Sequence, residues 1–141
     1  MPYTFAPEEK HAKAYGRNLR MSPKKGELIC NMLRKKKLSV AKRMLKDMYT
    51  GKRSMGGKYY TKTVKELLDL LVSCEKNALS LGMDTAKMFV FASSHKGTMF
   101  RRRRRKSGFG STMKTANVEM ILVETGKAKP KEKPAAKTVK Q

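Results

Sequence analysis

The sequence predicts an α+β fold: three helices packed on a small antiparallel sheet, with a long β-hairpin projecting from it. Three observations predict it. Apolar residues recur at helical spacing in three separate segments between residues 22 and 82, each with start or stop signals. Two short runs rich in β-branched and aromatic side chains follow, at residues 88–92 and 118–123. Between those runs lie residues 93–117, basic and without any apolar period.

Residues 1–10 contain two prolines and no periodicity, and read as an N-terminal arm. Residues 11–20 are polar around Gly16 and fit a short strand or an extended segment. The first helix starts sharply: Ser22 is a good N-cap, and Pro23 stands where its missing N–H costs nothing. Leu28, Ile29, Met32 and Leu33 form its apolar face, and Arg34-Lys35-Lys36-Lys37 closes it at the negative end of the helix dipole. Ser39 is placed to cap a second helix with the stripe Val40, Ala41, Met44, Leu45 and Met48, ended by Gly51. Residues 51–60 form a loop that turns at Gly56-Gly57. Thr63-Val64-Lys65-Glu66 fits a capping box, in which the hydroxyl and the carboxylate satisfy each other's backbone donors. The third helix carries Val64, Leu67, Leu68, Leu71, Val72, Ala78 and Leu79, with Gly82 as its stop. It is the most apolar of the three and is expected at the centre.

Met88-Phe89-Val90-Phe91-Ala92 and Val118-Glu119-Met120-Ile121-Leu122-Val123 read as paired strands. A structureless loop as long as 93–117 is improbable inside a compact domain, so a hairpin is the better account. With Ala92 opposite Val118 its turn falls near Arg104 to Lys106. About ten residues at ~3.3 Å each reach roughly 30 Å. Such an arm has almost no apolar face, so its order must come from a partner. From Gly126 onward the chain is Lys, Pro, Ala and Thr and reads as a disordered basic tail. The expected organisation is an arm at 1–10, one RNA-binding domain at 11–125 with its hairpin at about 93–117, and a tail at 126–141.

The 141 residues carry a formal charge of +23, from 34 Lys and Arg against 11 Asp and Glu. Residues 10–62 carry +15, 63–92 carry −1, 93–118 carry +8 and 126–141 carry +5, with −2 from each remaining stretch. A near-neutral core element is thus surrounded by basic segments. Self-repulsion on this scale destabilises a lone domain, and a polyanion relieves it. Nucleic acid is the expected one, because each phosphate contact releases a condensed counterion.

Arg101-Arg102-Arg103-Arg104-Arg105-Lys106 is the strongest feature. Arginine pairs phosphate bidentately and stacks on bases, and Phe100 and Phe109 flank the run with rings that can stack on splayed bases. The bland alternative, a localisation signal or a solvated loop, is weaker because the stretch is long and acid-free. The second feature is Arg17-Asn18-Leu19-Arg20-Met21-Ser22-Pro23-Lys24-Lys25. Lys24 and Lys25 oppose the dipole of an isolated helix, and a phosphate at that end reverses the sign of the effect. The alternative is a tolerated clash of a few tenths of a kcal/mol.

Cys30 and Cys74 lie inside helical patterns and read as reduced packing residues. Neither cysteine makes metal-ligand spacing with His11 or His95, so no zinc site is expected. The eleven methionines sit mostly at core-facing positions. Gly108-Phe109-Gly110 is no phosphate loop, because no Gly-Lys-Ser/Thr follows. Ser93 and Ser94 near His95 lack an orienting acid in sequence, so no catalysis and no cofactor are expected. No apolar run approaches the ~20 residues of a membrane span, and Met1 to Lys10 lacks the apolar core of a signal peptide. The expectation is a soluble cytoplasmic protein.

Four segments together resemble a known family. They are Gly16-Arg17-Asn18-Leu19-Arg20-Met21-Ser22-Pro23-Lys24-Lys25, then Glu75-Lys76-Asn77-Ala78 with Leu81-Gly82-Met83-Asp84, then His95-Lys96-Gly97, and finally Val118 to Glu124. In this order they are similar to the universal large-subunit ribosomal protein twenty-two family, in its archaeal and eukaryotic branch, over roughly residues 10–125. The resemblance implies a three-helix α+β domain near the mouth of the ribosomal tunnel. It also implies a hairpin that threads through ribosomal RNA and lines the nascent-peptide exit tunnel. Its implied partners are large-subunit rRNA, neighbouring large-subunit proteins and the nascent peptide near the hairpin tip. The family's usual tip is replaced here by Arg104-Arg105-Lys106-Ser107-Gly108-Phe109-Gly110, and the 51–60 loop is shorter.

The expected RNA contacts are Arg17, Asn18, Arg20, Lys24 and Lys25 at the globular domain. Along the hairpin they are Lys96, Arg101, Arg102, Arg103, Arg104, Arg105, Lys106, Phe109 and Lys114. A free nucleic-acid-binding regulator is the rival reading. A membrane-active cation fails, because the basic segments lack a broad apolar face.

Overall fold

The computed structural model describes residues 5–101 and 110–125. The strands β1 (His11–Leu19), β2 (Lys36–Lys37), β3 (Met88–Lys96) and β6 (Ala116–Glu124) form one sheet in the order β1-β6-β3-β2, with every neighbouring pair antiparallel. A separate two-stranded ladder joins β4 (Phe100–Arg101) to β5 (Thr112–Met113) and continues outward from β3 and β6. The helices α1 (Pro23–Leu33), α2 (Leu38–Tyr49) and α3 (Thr61–Ser80) supply the other layer.

Strand parity fixes which side chains meet them. Ala12 faces Leu122, Ala14 faces Met120, and Val90 and Ala92 flank the same two β6 residues from β3. These residues share one buried cluster with Ile29, Leu33, Leu45, Leu67, Leu71 and Cys74 of the helices. β6 is the central strand and is buried from Ala116 to Val123, which explains its near-continuous apolar run. Its odd-numbered residues lie on the second face, where Phe5 stacks on Phe91 with ring centroids 4.9 Å apart. As the sequence predicts, α3 is central: Val64, Leu67, Leu71, Cys74 and Ala78 are all fully buried. Lys42 of α2 pairs with Glu75 of α3 across its flank.

The order of the three helices and the two main strands matches the sequence reading, β2 is an added strand between α1 and α2, and several boundaries differ. β1 is a full strand whose burial alternates over Ala12, Ala14 and Gly16. The Arg34–Lys37 run does more than close α1. Lys35 takes a left-handed conformation (φ 60°), its N–H reaches the Val90 carbonyl at 2.8 Å, and Lys36 and Lys37 become an edge strand on β3. α2 therefore starts at Leu38, straight out of that strand, with Lys37 rather than Ser39 as its N-cap. Thr63 is likewise not a cap. α3 begins at Thr61 behind Tyr60, because Thr63 and Val64 are needed on the buried face of its first turn.

The end of α3 behaves as expected. Gly82 (φ 63°) donates to the Leu79 carbonyl at 2.9 Å and Met83 to that of Ala78 at 3.1 Å, a glycine-terminated Schellman stop. Ala92 pairs with Met120, a register two residues away from Val118, and the pairing runs on to Lys96 opposite Ala116, four residues past Ala92 on β3 and two before Val118 on β6. The hairpin turn and the tail at 126–141 lie outside the described residues.

Candidate nucleic-acid interface

Above the point where β3 and β6 part, the side chains of Asn18, Thr115 and Asn117 tie the hairpin to the domain. The β1–β6 register shifts between Gly16 and Leu19, and Asn18 absorbs the extra residue with φ 52°. Asparagine tolerates this left-handed geometry better than most residues. Its own N–H donates to Asn117 Oδ1 at 2.8 Å, and its Oδ1 accepts the Thr98 N–H at 3.0 Å. The Thr115 hydroxyl donates to the Thr98 carbonyl, and Gly97 N–H to the Thr115 carbonyl at 2.9 Å. A Cβ on Gly97 would stand 2.6 Å from Thr115 Oγ1 and 2.8 Å from Asn18 Oδ1, so the root closes only around glycine. Asn18 was expected to contact RNA; the structure places its side-chain oxygen inside this root.

Arg17, Arg20, Lys24, Lys25, Lys96, Arg101 and Lys114 are all exposed. Arg20, Lys25 and Lys114 line one cleft beside the root, which has a volume of about 780 Å³. Arg20 also donates through Nη2 to Met113 Sδ at 3.6 Å, which sets it against β5. Arg17, Lys24 and Lys96 lie outside the cleft lining. Arg102 to Arg105, Lys106 and Phe109 lie outside the described residues.

Sequence reasoning missed Lys58, Lys62 and Tyr60, which complete the cleft from the other side. Lys25 Nζ lies 5.4 Å from the centroid of the Tyr60 ring, a cation–π distance. Among the described residues no acid lines the cleft. The signal that could have found these residues is the pair Tyr59-Tyr60 between Lys58 and Lys62, an aromatic step set among cations.

The cysteines are remote from this surface. Burial pushes both thiols up to about 12, with the Arg34 charge partly offsetting the effect at Cys30 and a backbone hydrogen bond at Cys74. The thiolate is the reactive form, so both are inert packing groups. Among the described residues no cluster of His, Cys, Asp and Glu could hold a metal ion, and no helix is long and apolar enough to cross a membrane.

A family model described as ribosomal protein L22p/L17e matches residues 14–123. The chain belongs to the ribosomal protein L22p/L17e family. Its members are structural ribosomal proteins, not enzymes, and so is this chain. The large ribosomal subunit protein uL22 of Methanothrix thermoacetophila is 28% identical over 145 residues, covering 86% of this chain and 95% of that protein. That of Methanocella arvoryzae is 30% identical over 138 residues, with 80% and 86% covered. That of Sulfolobus acidocaldarius is 27% identical over 149 residues, with 87% and 96% covered. The L22p/L17e match runs from within β1 to within β6 and spans every residue of the basic surface described above.

Proposed function

We propose that the chain is a structural constituent of the large ribosomal subunit in the cytoplasm, that it binds rRNA through the basic surface at the hairpin root, and that its hairpin lines the nascent-peptide exit tunnel. The observation that carries the reading is the acid-free ring of Arg20, Lys25, Lys58, Lys62 and Lys114 at the place where the hairpin leaves the domain. Fixed cations with no counter-charge repel one another, and an RNA backbone converts that repulsion into attraction. The relatives, which are large ribosomal subunit proteins, support the subunit assignment.

Within this reading residues 11–125 are the RNA-binding unit and 126–141 a further basic segment. Arg17, Arg20, Lys24 and Lys25 hold backbone phosphates beside the start of α1. Lys96, Lys114, Arg101 to Arg105, Lys106 and Phe109 follow RNA along the hairpin. Asn18 acts through the root it braces, fixing the direction in which the hairpin leaves. Most contacts are to RNA shape and backbone, because folded RNA offers side chains little base-edge information. Neighbouring large-subunit proteins, and the nascent peptide at the hairpin tip, complete the partners.

Sedimentation of a lysate that expresses the tagged full chain, in high magnesium, tests the assignment. The chain is expected in the large-subunit fraction, and it is expected to leave that fraction in high salt. A chain found with free nucleic acid or at the top of the gradient would mark a regulator instead.

A further inference from the structure

The cleft at the hairpin root is built for something smaller than an RNA helix. Its volume of about 780 Å³ falls in the roughly 300–1,000 Å³ range of pockets that enclose small organic molecules. A volume of this size is enough for one nucleotide.

The lining matches the parts of a nucleotide. α1 and α3 both begin on the cleft, through Ser22 and Lys25 on one side and Thr61 to Thr63 on the other. Neither helix has a side-chain cap bond, and neither has an acid in its first turn. The first helical bonds are those of Gly26 to the Ser22 carbonyl and Val64 to the Tyr60 carbonyl, so the N–H groups ahead of them have no carbonyl to meet within the helix. Two positive dipole ends and five cationic side chains thus share one opening, which is an anion's environment. Beside it Tyr60, half-buried against the core, lines the cleft with the Lys25 ammonium 5.4 Å from its ring centroid, an aromatic surface that a base reaches by taking the place of that ammonium. Thr63 is only 4% exposed and lines the cleft.

We propose that this cleft captures a single nucleotide extruded from an RNA strand. Its phosphate sits between the starts of α1 and α3, its base lies against Tyr60, and the Thr63 hydroxyl meets the sugar or the base edge. The inference rests on the RNA-binding reading and sharpens it: the globular domain recognises a bulge or strand reversal, not a paired stem. Extruded bases are the sites at which proteins read RNA by stacking and edge contacts.

The test uses the full chain and three probes at fixed salt. One is a short RNA hairpin with a single bulged 2-aminopurine, the second is the same stem fully paired, and the third is adenosine 5′-monophosphate. The bulged RNA is expected to bind about tenfold more tightly than the paired stem, the scale of one base–aromatic stack, with a change in 2-aminopurine fluorescence. Tyr60→Phe should keep that preference. Tyr60→Ala should lose it and retain paired-stem binding. Lys58→Ala with Lys62→Ala, both exposed and distant from the core, should reduce it in a chain whose circular dichroism is unchanged. Paired and bulged stems bound alike by the wild type would overturn the cleft inference and leave RNA binding standing. A preference indifferent to both sets of substitutions would overturn it too, by placing the bulge elsewhere. Monophosphate bound as tightly as the bulged RNA would make the cleft a free-nucleotide site and overturn strand capture. Failure to bind any RNA would remove the RNA-binding reading itself, and the inference with it.

Discussion

Gly26 shows how one residue decides the fit between layers. It lies in the first turns of α1, where glycine costs about 1 kcal/mol against alanine in helix propensity. Yet a Cβ there would stand 2.6 Å from Ser94 Oγ and 3.3 Å from Ser94 Cβ on β3. The clash outweighs the gain in propensity, so Gly26→Ala is expected to destabilise the chain by about 1–3 kcal/mol, read as a lower urea midpoint. Ser94 Oγ is itself buried without a hydrogen-bond partner among the described residues. Ser94→Ala should therefore be neutral or stabilising by roughly 1 kcal/mol, and should recover part of the Gly26→Ala loss in the double variant. Equal losses in the single and double variants would show that Ser94 is not the obstacle. The two thiols make a second residue-scale prediction. With pKa values raised from 9.0 to about 12, Cys30 and Cys74 should resist alkylation at pH 8 in the folded chain and react fast in urea. The sign of the linkage follows: an unfolded thiol releases its proton near pH 9, before the folded one does. The stabilisation from these protonated thiols is thus complete below that pH and is lost as pH rises toward 12.

The elements differ in how plainly the sequence shows them. Long apolar periods were legible: α1, α2 and α3 and the strands β3 and β6 stand where their spacing put them, although Leu28 and Leu79, read into the apolar stripes of α1 and α3, are 43% and 57% exposed. β1 was half legible, because its buried positions are Ala12, Ala14 and Gly16, which fit the close approach of α3 but carry little strand signal. β2 was hidden, since Lys36 and Lys37 read as charge, and only the left-handed turn at Lys35 makes them a strand. The start of α3 was misplaced because a local capping pattern at Thr63 competed with the tertiary demand that Thr63 be buried. The same misplacement hid half of the cleft, whose far wall is the true helix start at Tyr60 to Thr63. The hairpin root was invisible for another reason: Asn18, Thr98 and the segment from Thr115 to Asn117 are far apart in sequence and meet only through the bulge in β1. That root makes its own prediction. In hydrogen exchange on the free protein, the Gly97 and Thr98 amides should be protected along with the α3 core. Asn18→Ala should release Thr98, whose N–H it accepts at 3.0 Å, and leave residues 64–79 unchanged. Loss of protection throughout would mean that Asn18 supports the whole sheet and not only the hairpin root.

At the scale of the molecule, charge and architecture divide the work between two basic regions. The net charge of +23 makes association with RNA strongly dependent on salt. Neutralising six to ten phosphates would weaken binding by about 10³–10⁵ between 50 and 200 mM salt on the duplex-DNA scale, and by less on single strands. A flat response would mean that phosphate contacts are not what drives the association. The regions can then be separated. Arg20, Lys24 and Lys25 flank the start of α1, so in the proposed reading their loss removes phosphate contacts that the fold positions in advance. Replacing all three with Ala is expected to lower occupancy in purified large subunits, measured by quantitative mass spectrometry at matched expression. Deleting residues 99–112 takes away β4 and Thr112 of β5 and leaves the pairing of β3 with β6 through Lys96 and Ala116, together with the bond from Gly97 to Thr115. The domain keeps its three helices, its sheet and most of the cleft, and is expected to enter the subunit at near-normal occupancy while the tunnel region it should line is left disordered in a density map. If the deletion abolishes incorporation and the triple substitution does not, the hairpin is the anchor and the globular surface the accessory. That result would reverse the order of roles proposed for the globular surface and the hairpin.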